Sequence, residues 1–309
     1  MKIWLAPLHG ITSCYVRNTL YRHVGNIDMA IVPFYPTQER SKLNVKKWND
    51  LFPENNLLCD IIPQLMGNNP AHIVDTIQCL NESFGYKAFN LNVGCPVNNI
   101  VRKKRGCGLM PYPDLVEKIV ETVLKLTNCR FSIKMRLGVA HPEEGRRMIE
   151  KLNRYPLDFI VIHPRLGIQQ YDGNVDLDNF ADLLSISKNK IIYNGDICTI
   201  DDFKKLQNRF PCIDEWMIGR GLLKNPFLSE EIVAGIPLSS EEKNKRFISF
   251  YQELHQLIVD NYKSYSLPKL KELWHYFAFF FGFTSLELKE LLRCNHVGQF
   301  EDYLNYIIK

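Results

Sequence analysis

The stretch Ala88-Phe89-Asn90-Leu91-Asn92-Val93-Gly94-Cys95-Pro96 decides how this chain folds. An uncharged, largely apolar run that stops at glycine and proline reads as a short buried strand ending in a loop. Upstream, Pro70–Phe84 carries Ile73, Ile77, Leu80 and Phe84 at helical spacing, and downstream Tyr112–Leu126 carries Leu115, Ile119, Val120 and Val123 in the same way. Further out, apolar runs recur at Ile3–Pro7, Met29–Pro33, Ile61–Met66, Phe131–Leu137, Phe159–Pro164, Lys190–Asn194 and Glu215–Gly219. Shorter helical patterns lie at Glu143–Leu152 and Asp201–Leu206. Runs with little polar alternation, separated by helices, predict a parallel α/β fold. Eight of them favour a closed (β/α)8 TIM barrel over an open sheet. No G-x-G-x-x-G follows the first run, and Gly219-Arg220-Gly221 comes too late to be a dinucleotide fingerprint.

After Gly235-Ile236-Pro237 the period changes. Ser239 with Glu242 predicts a capping box, and helices are expected over 240–262, 267–281, 285–292 and 299–307. The reading is a barrel over 1–237 followed by a small all-helical domain over 238–309. That tail has 9 Lys+Arg against 9 Asp+Glu, so the whole excess charge of +4 belongs to the barrel part. Two domains suit 309 residues at roughly 150 residues each.

Hydrophobic residues at 46% and charged residues at 23% exclude a disordered or collagen-like chain. No apolar run approaches the ~18 residues of a membrane span, and the apolar start is too short for a signal peptide. Nine cysteines without a C-x-x-C pair suggest neither a disulfide framework nor a zinc site. A cytoplasmic, metal-free protein, off the membrane, is expected.

Chemistry in such barrels gathers at the C-terminal ends of the strands. Those ends read Ala6-Pro7-Leu8-His9-Gly10, Pro63-Gln64-Leu65-Met66-Gly67, Asn92-Val93-Gly94-Cys95-Pro96, Lys134-Met135-Arg136, His163-Pro164-Arg165, Asn194-Gly195-Asp196 and Gly219-Arg220-Gly221. The last two follow the seventh and eighth strands, where barrels commonly bind phosphate through backbone N–H groups and a cation. Lys134 and Arg136 share one side of a strand, and a lysine aimed into the mouth needs an anion. Gln64 both donates and accepts, which suits a heterocycle edge. His163 beside Arg165 is a candidate ligand-binding residue. Cys95, on a loop at the mouth, could be a nucleophile or a general acid. Alone, Arg102-Lys103-Lys104-Arg105 reads as a solvated face.

In family order, these motifs resemble those of the tRNA-dihydrouridine synthases of bacterial type, over about residues 3–228. The set includes Gln64-Leu65-Met66-Gly67, Asn92 through Pro96, Lys134-Met135-Arg136, His163-Pro164-Arg165 with Gln169 and Tyr171, Asn194 through Ile197, and Met217 through Gly221. The resemblance implies a flavin enzyme that uses NADPH and FMN to reduce uridine in the D-loop of tRNA to 5,6-dihydrouridine. It places Pro7, Leu8 and His9 along the isoalloxazine and Gln64 and Lys134 at its polar edge. His163, Asn194, Gly195, Asp196, Gly219 and Arg220 would hold the ribityl chain and phosphate. Cys95 takes the position of the acid that protonates uracil C5, opposite hydride arriving at C6. Asn92 is expected at the uracil edge. Arg165, Arg102, Lys103, Lys104 and Arg105, with Lys269 and Lys271 of the tail, are expected to meet the RNA. The sequence departs from the family in Leu8 and His9, and in Pro164 and Leu166. A monomer is expected. The alternatives are an FMN barrel acting on a free pyrimidine, in the manner of dihydroorotate dehydrogenase, and a non-catalytic RNA-binding protein on the same scaffold.

Overall fold

The computed structural model describes residues 1–308. Each expected run contributes parallel strand: Lys2–Leu5, Met29–Ile31, Ala88–Val93, Arg130–Gly138, Ile160–Leu166, Ile191–Asn194 and Glu215–Ile218, with Tyr35–Pro36 extending the second. The third run differs from the single strand expected. Pro63 has no N–H to give a ladder, and it splits the run into Ile61–Ile62 and Gln64–Met66. The first piece pairs with Ala30–Ile31 and the second with Asn90–Leu91. Those partners lie towards opposite ends of the strand order, so one proline closes the sheet into a barrel.

Alternation along the strands sets what faces inward. Trp4, Ala6, Ile31, Ile62, Ala88, Val161, Ile192 and Met217 form one apolar cluster, while their strand neighbours Ile3, Leu5, Phe89, Leu91, Ile160 and Ile162 belong to the larger core packed with the helices. Continuing the inward register past Ala88 gives Asn90 and Asn92, and the adjacent strand gives Ser132, Lys134 and Arg136 at matching or neighbouring positions. The barrel therefore turns polar towards its C-terminal mouth.

The helices form where the spacing places them: Pro70–Phe84, Pro113–Leu126, Glu143–Leu152 and Ile200–Arg209. The Asn69 side chain caps the first of these, and Gly85 ends it at φ 77, a left-handed turn that favours glycine. Cys14–His23, Leu177–Ile186, Arg220–Lys224 and Leu228–Ala234 are further helices. The tail holds Ser240–Tyr262, Ser266–Phe277, Ser285–Arg293 and Val297–Ile307. Its expected capping box is half formed. Ser239 Oγ accepts the Glu242 amide at 3.2 Å, whereas the Glu242 carboxylate turns to Arg246 at 3.7 Å.

The tail lies against the first helix of the barrel. Glu253 meets Arg22 and His23, and Arg246 bonds the Glu230 carboxylate and the His23 carbonyl, at 2.6 and 2.9 Å. Beneath them Phe247, Phe250, Trp274 and Phe277 are fully buried. No helix among the described residues is long and apolar enough to cross a membrane.

Candidate active site

A cleft opens at the C-terminal mouth of the barrel. The structure brings Pro7, Leu8, His9, Asn92, Cys95, Lys134, His163, Asn194, Gly195, Asp196, Gly219 and Arg220 to its wall. Six separated motifs thus meet because each lies in the mouth half of a strand or just after it.

Cations dominate. Lys134 Nζ donates to Asn194 Oδ1 at 2.7 Å. Burial, with Arg136 adding to it, pushes this ammonium down to about 7. Arg136 is held by the carbonyls of Gly94 and Leu166, both at 2.9 Å. Two guanidiniums approach the Tyr171 ring, with Arg136 at 5.3 Å and Arg220 at 5.0 Å from its centroid. Burial and the surrounding cations hold His163 well below the usual imidazole value. The ring is therefore neutral and can accept Arg165 Nη1 at 3.1 Å on Nε2.

Asp196 is the carboxylate on this wall, bridging Arg165 and Arg220 at 2.9 and 3.0 Å. It sits at φ 40, a left-handed conformation uncommon outside glycine. Among the described residues, the amides of Gly195, Asp196 and Arg220 donate to no protein acceptor. A Cβ on Gly219 would stand 3.3 Å from Ala6 Cβ, and one on Gly195 3.1 Å from Val175. Unused amides beside a guanidinium make an anion cradle.

Cys95 stands half-buried at the rim. Burial raises its thiol above the ordinary value, against smaller opposing effects of the Val97 amide, Arg136 and Lys134. The group is thus a protonated thiol at neutral pH, suited to giving a proton rather than attacking as a thiolate. Its loop is pinned from two sides. Asn92 Oδ1 accepts the amides of Gly94 and Cys95 at 3.0 and 2.9 Å, and the Cys95 carbonyl accepts the Cys107 amide at 2.9 Å. Gly106, at φ 54, fits directly beneath, where a Cβ would lie 2.8 Å from the Cys95 carbonyl oxygen.

Other expected residues lie elsewhere. Gln64 is fully buried beneath the wall, donating to Asn90 Oδ1 at 2.7 Å and accepting Asn92 Nδ2 at 2.8 Å. Arg165 is 2% exposed and stands behind the wall, bracing Asp196 and the carbonyls of Asp172 and Gly173. Arg102, Lys103 and Lys104 are exposed on the loop beyond Cys95, while Arg105 is half-buried. Lys104 reaches over the Tyr112 ring at 4.5 Å. Lys269 donates to the Gly10 carbonyl at 2.7 Å and pairs with Glu272, tying the tail to the first mouth loop. Lys271 is half-buried on the same helix.

Sequence reasoning assigned no site role to Phe34, which stacks on His9 at 4.5 Å, or to Arg136 and Tyr171, which line the cleft. The i, i+2 spacing of Lys134 and Arg136 was a usable signal for one of them. Nothing local marks Phe34.

These features define a barrel enzyme whose reaction centre lies at the strand C-termini. Its fold is similar to an old yellow enzyme homologue from Zymomonas mobilis, with TM-score 0.56 and 11% identity over 77% of this chain and 90% of that one. The profile of the family "Dihydrouridine synthase (Dus)" matches residues 4–290, and the chain belongs to that family. It is 27% identical to "tRNA-dihydrouridine synthase B" of Pasteurella multocida over 82% of this chain and 78% of that one. It is 25% identical to "tRNA-dihydrouridine(16) synthase" of Aquipseudomonas alcaligenes, over 85% and 86% respectively.

Proposed function

We propose that this protein is a cytoplasmic tRNA-dihydrouridine synthase that reduces uridine in the D-loop, with FMN in the cleft and NADPH as reductant. The observation that carries the reading is a half-buried Cys95, its thiol raised by burial, at the rim of a cationic cleft with unused amides. The residues present fit FMN. Pro7, Leu8 and His9 offer a wall for a planar ring, while the amides of Gly195, Asp196 and Arg220 with the Arg220 guanidinium would hold its phosphate. Lys134, half-buried and with no carboxylate partner among the described residues, would meet the anionic edge. A flavin bound there supplies hydride to uracil C6.

The chain's own groups do the rest. Uridine must be turned out of the RNA to reach the rim. Cys95 gives its proton to C5, and the resulting thiolate, close to the charges of Arg136 and Lys134, regains one from water. Asn92 fixes the thiol by holding the two amides of its turn, and Arg165 fixes the phosphate cradle through Asp196. The purified protein is expected to take up FMN, become yellow, oxidise NADPH and form dihydrouridine in an unmodified tRNA transcript. A protein that binds no FMN, or that reduces free uracil or orotate instead of tRNA, overturns the reading.

A further inference from the structure

At the barrel mouth the tail presents an exposed aromatic side chain that neither its core nor the chemistry above uses. In the run Trp274–Phe281, Trp274 and Phe277 are fully buried, and Phe280 and Phe281 pack on Phe247 with centroids 4.8 and 4.9 Å away. Phe279 turns outward and is 62% exposed. Lys224 Nζ, from the barrel, lies 3.9 Å from its ring centroid.

Both residues line a second cleft between the barrel mouth and the tail. This cleft shares Leu8, His9, Cys95, Pro96, Tyr171 and Arg220 with the catalytic cleft, so the two are continuous around the thiol. Arg102 also lines it, and His275 and Tyr276 flank Phe279. Cations and an open aromatic face in one groove suit single-stranded nucleic acid, because the cations meet phosphates and the ring meets a base. At 62% exposure the ring keeps apolar surface free beside that cation.

A uridine turned out towards Cys95 leaves its neighbour in the strand with a bare stacking face. We propose that Phe279, with Lys224 over its ring, is the stacking subsite for the RNA base adjacent to the target uridine. This rests on the RNA-reducing reading above. It also gives the tail, with 9 Lys+Arg against 9 Asp+Glu, a means of recognition that needs no excess charge.

The test uses the full-length, FMN-loaded protein and a D-arm RNA carrying 2-aminopurine next to the target uridine. Wild type is expected to change the fluorescence of the probe on binding, and Phe279→Ala to leave it as in free RNA. The same variant is expected to raise KM for tRNA about 5- to 150-fold, the range of one base stack, with little change in kcat. Phe279→Trp restores both. Tyr306→Ala, which removes another exposed aromatic (79%), leaves both as in wild type. An active wild type whose Phe279→Ala variant keeps the wild-type KM and probe response overturns the subsite alone. A wild type that forms no dihydrouridine overturns the RNA reading and the subsite with it.

Discussion

Replacing Asn92 by alanine separates a residue that reads the substrate from one that holds the acid. The side chain accepts two amides, at 3.0 and 2.9 Å, and donates to Gln64 at 2.8 Å. Three bonds at about 1 kcal/mol each, plus about 1 kcal/mol for the buried Gln64 oxygen left unpaired, give a loss of about 4 kcal/mol. For a chain of this size that lowers Tm by about 6 °C. The Cys95 turn then loses its anchor, and a misplacement of about 1 Å costs on the order of 10²-fold in rate. We therefore expect kcat for dihydrouridine formation to fall on the order of 10²-fold, with KM for tRNA nearly unchanged. Asn92→Asp keeps an acceptor for both amides and is expected to recover most of the rate. Steady-state kinetics on a tRNA transcript, with melting curves, decide it. A raised KM with intact kcat, or an aspartate variant no better than alanine, would show that Asn92 reads the uracil edge and refute the positioning argument.

Three further outcomes follow from the same geometry. Lys134, pushed down to about 7 by burial and Arg136, is charged below that pH and neutral above it, so binding an anion above pH 7 must take up a proton. FMN affinity of the cofactor-free protein is expected to fall as pH rises from 6 to 9, and Lys134→Met to flatten the part of that slope beyond the phosphate's own titration; identical profiles would contradict this. In the protein without ligand the same group contributes stability that grows from about pH 7 towards its unfolded value, a gain that melting curves of Lys134→Met should lack. Gly106→Ala, at φ 54 and 2.8 Å from the Cys95 carbonyl, is expected to lose about 1–2 kcal/mol of stability from the left-handed backbone alone, together with most of the activity; an unperturbed variant would remove the second anchor of the Cys95 loop from the account. Replacing the exposed Arg102, Lys103 and Lys104 by glutamine is expected to weaken tRNA binding and reduce the log–log salt slope by about 2, which a titration from low to high salt measures, and an unaltered slope would place the phosphates elsewhere.

The barrel was legible because its strands are apolar runs and its helices repeat their apolar residues every three to four positions. Pro70–Phe84, Ala88–Val93 and Glu143–Leu152 carry the boundaries their patterns set. The broken third strand was not legible as broken, since Pro63 sits inside a run that reads as one strand and its effect depends on which neighbours pair with each half. The loop after the second strand also had no readable period. Its short 3-10 turns are pinned by the buried Arg17 through Asp50 and Asn56, contacts 33 to 39 residues apart.

The site divides in the same way. Residues that line the cleft from the mouth half of a strand or the loop just after it, such as Cys95, Lys134 and Asn194, could be found by position. What Asn92, Gln64, Arg165 and Lys269 do depends on partners that spacing does not reveal. The polar atoms of each are engaged by Cys95, Asn90, Asp196 and Gly10 respectively. Phe279 was hidden by its neighbours, because a run of aromatics on a helix reads as core until the one left outside is seen.

The most direct test of the central claim is dihydrouridine formation by Cys95→Ala measured beside wild type, with FMN content and NADPH oxidation followed in the same samples. The account predicts that wild type adds the mass of two hydrogens to a single uridine-bearing fragment of the tRNA, while the variant holds its flavin and oxidises NADPH but leaves that fragment nearly unmodified. A variant that reduces the uridine at the wild-type rate would contradict it.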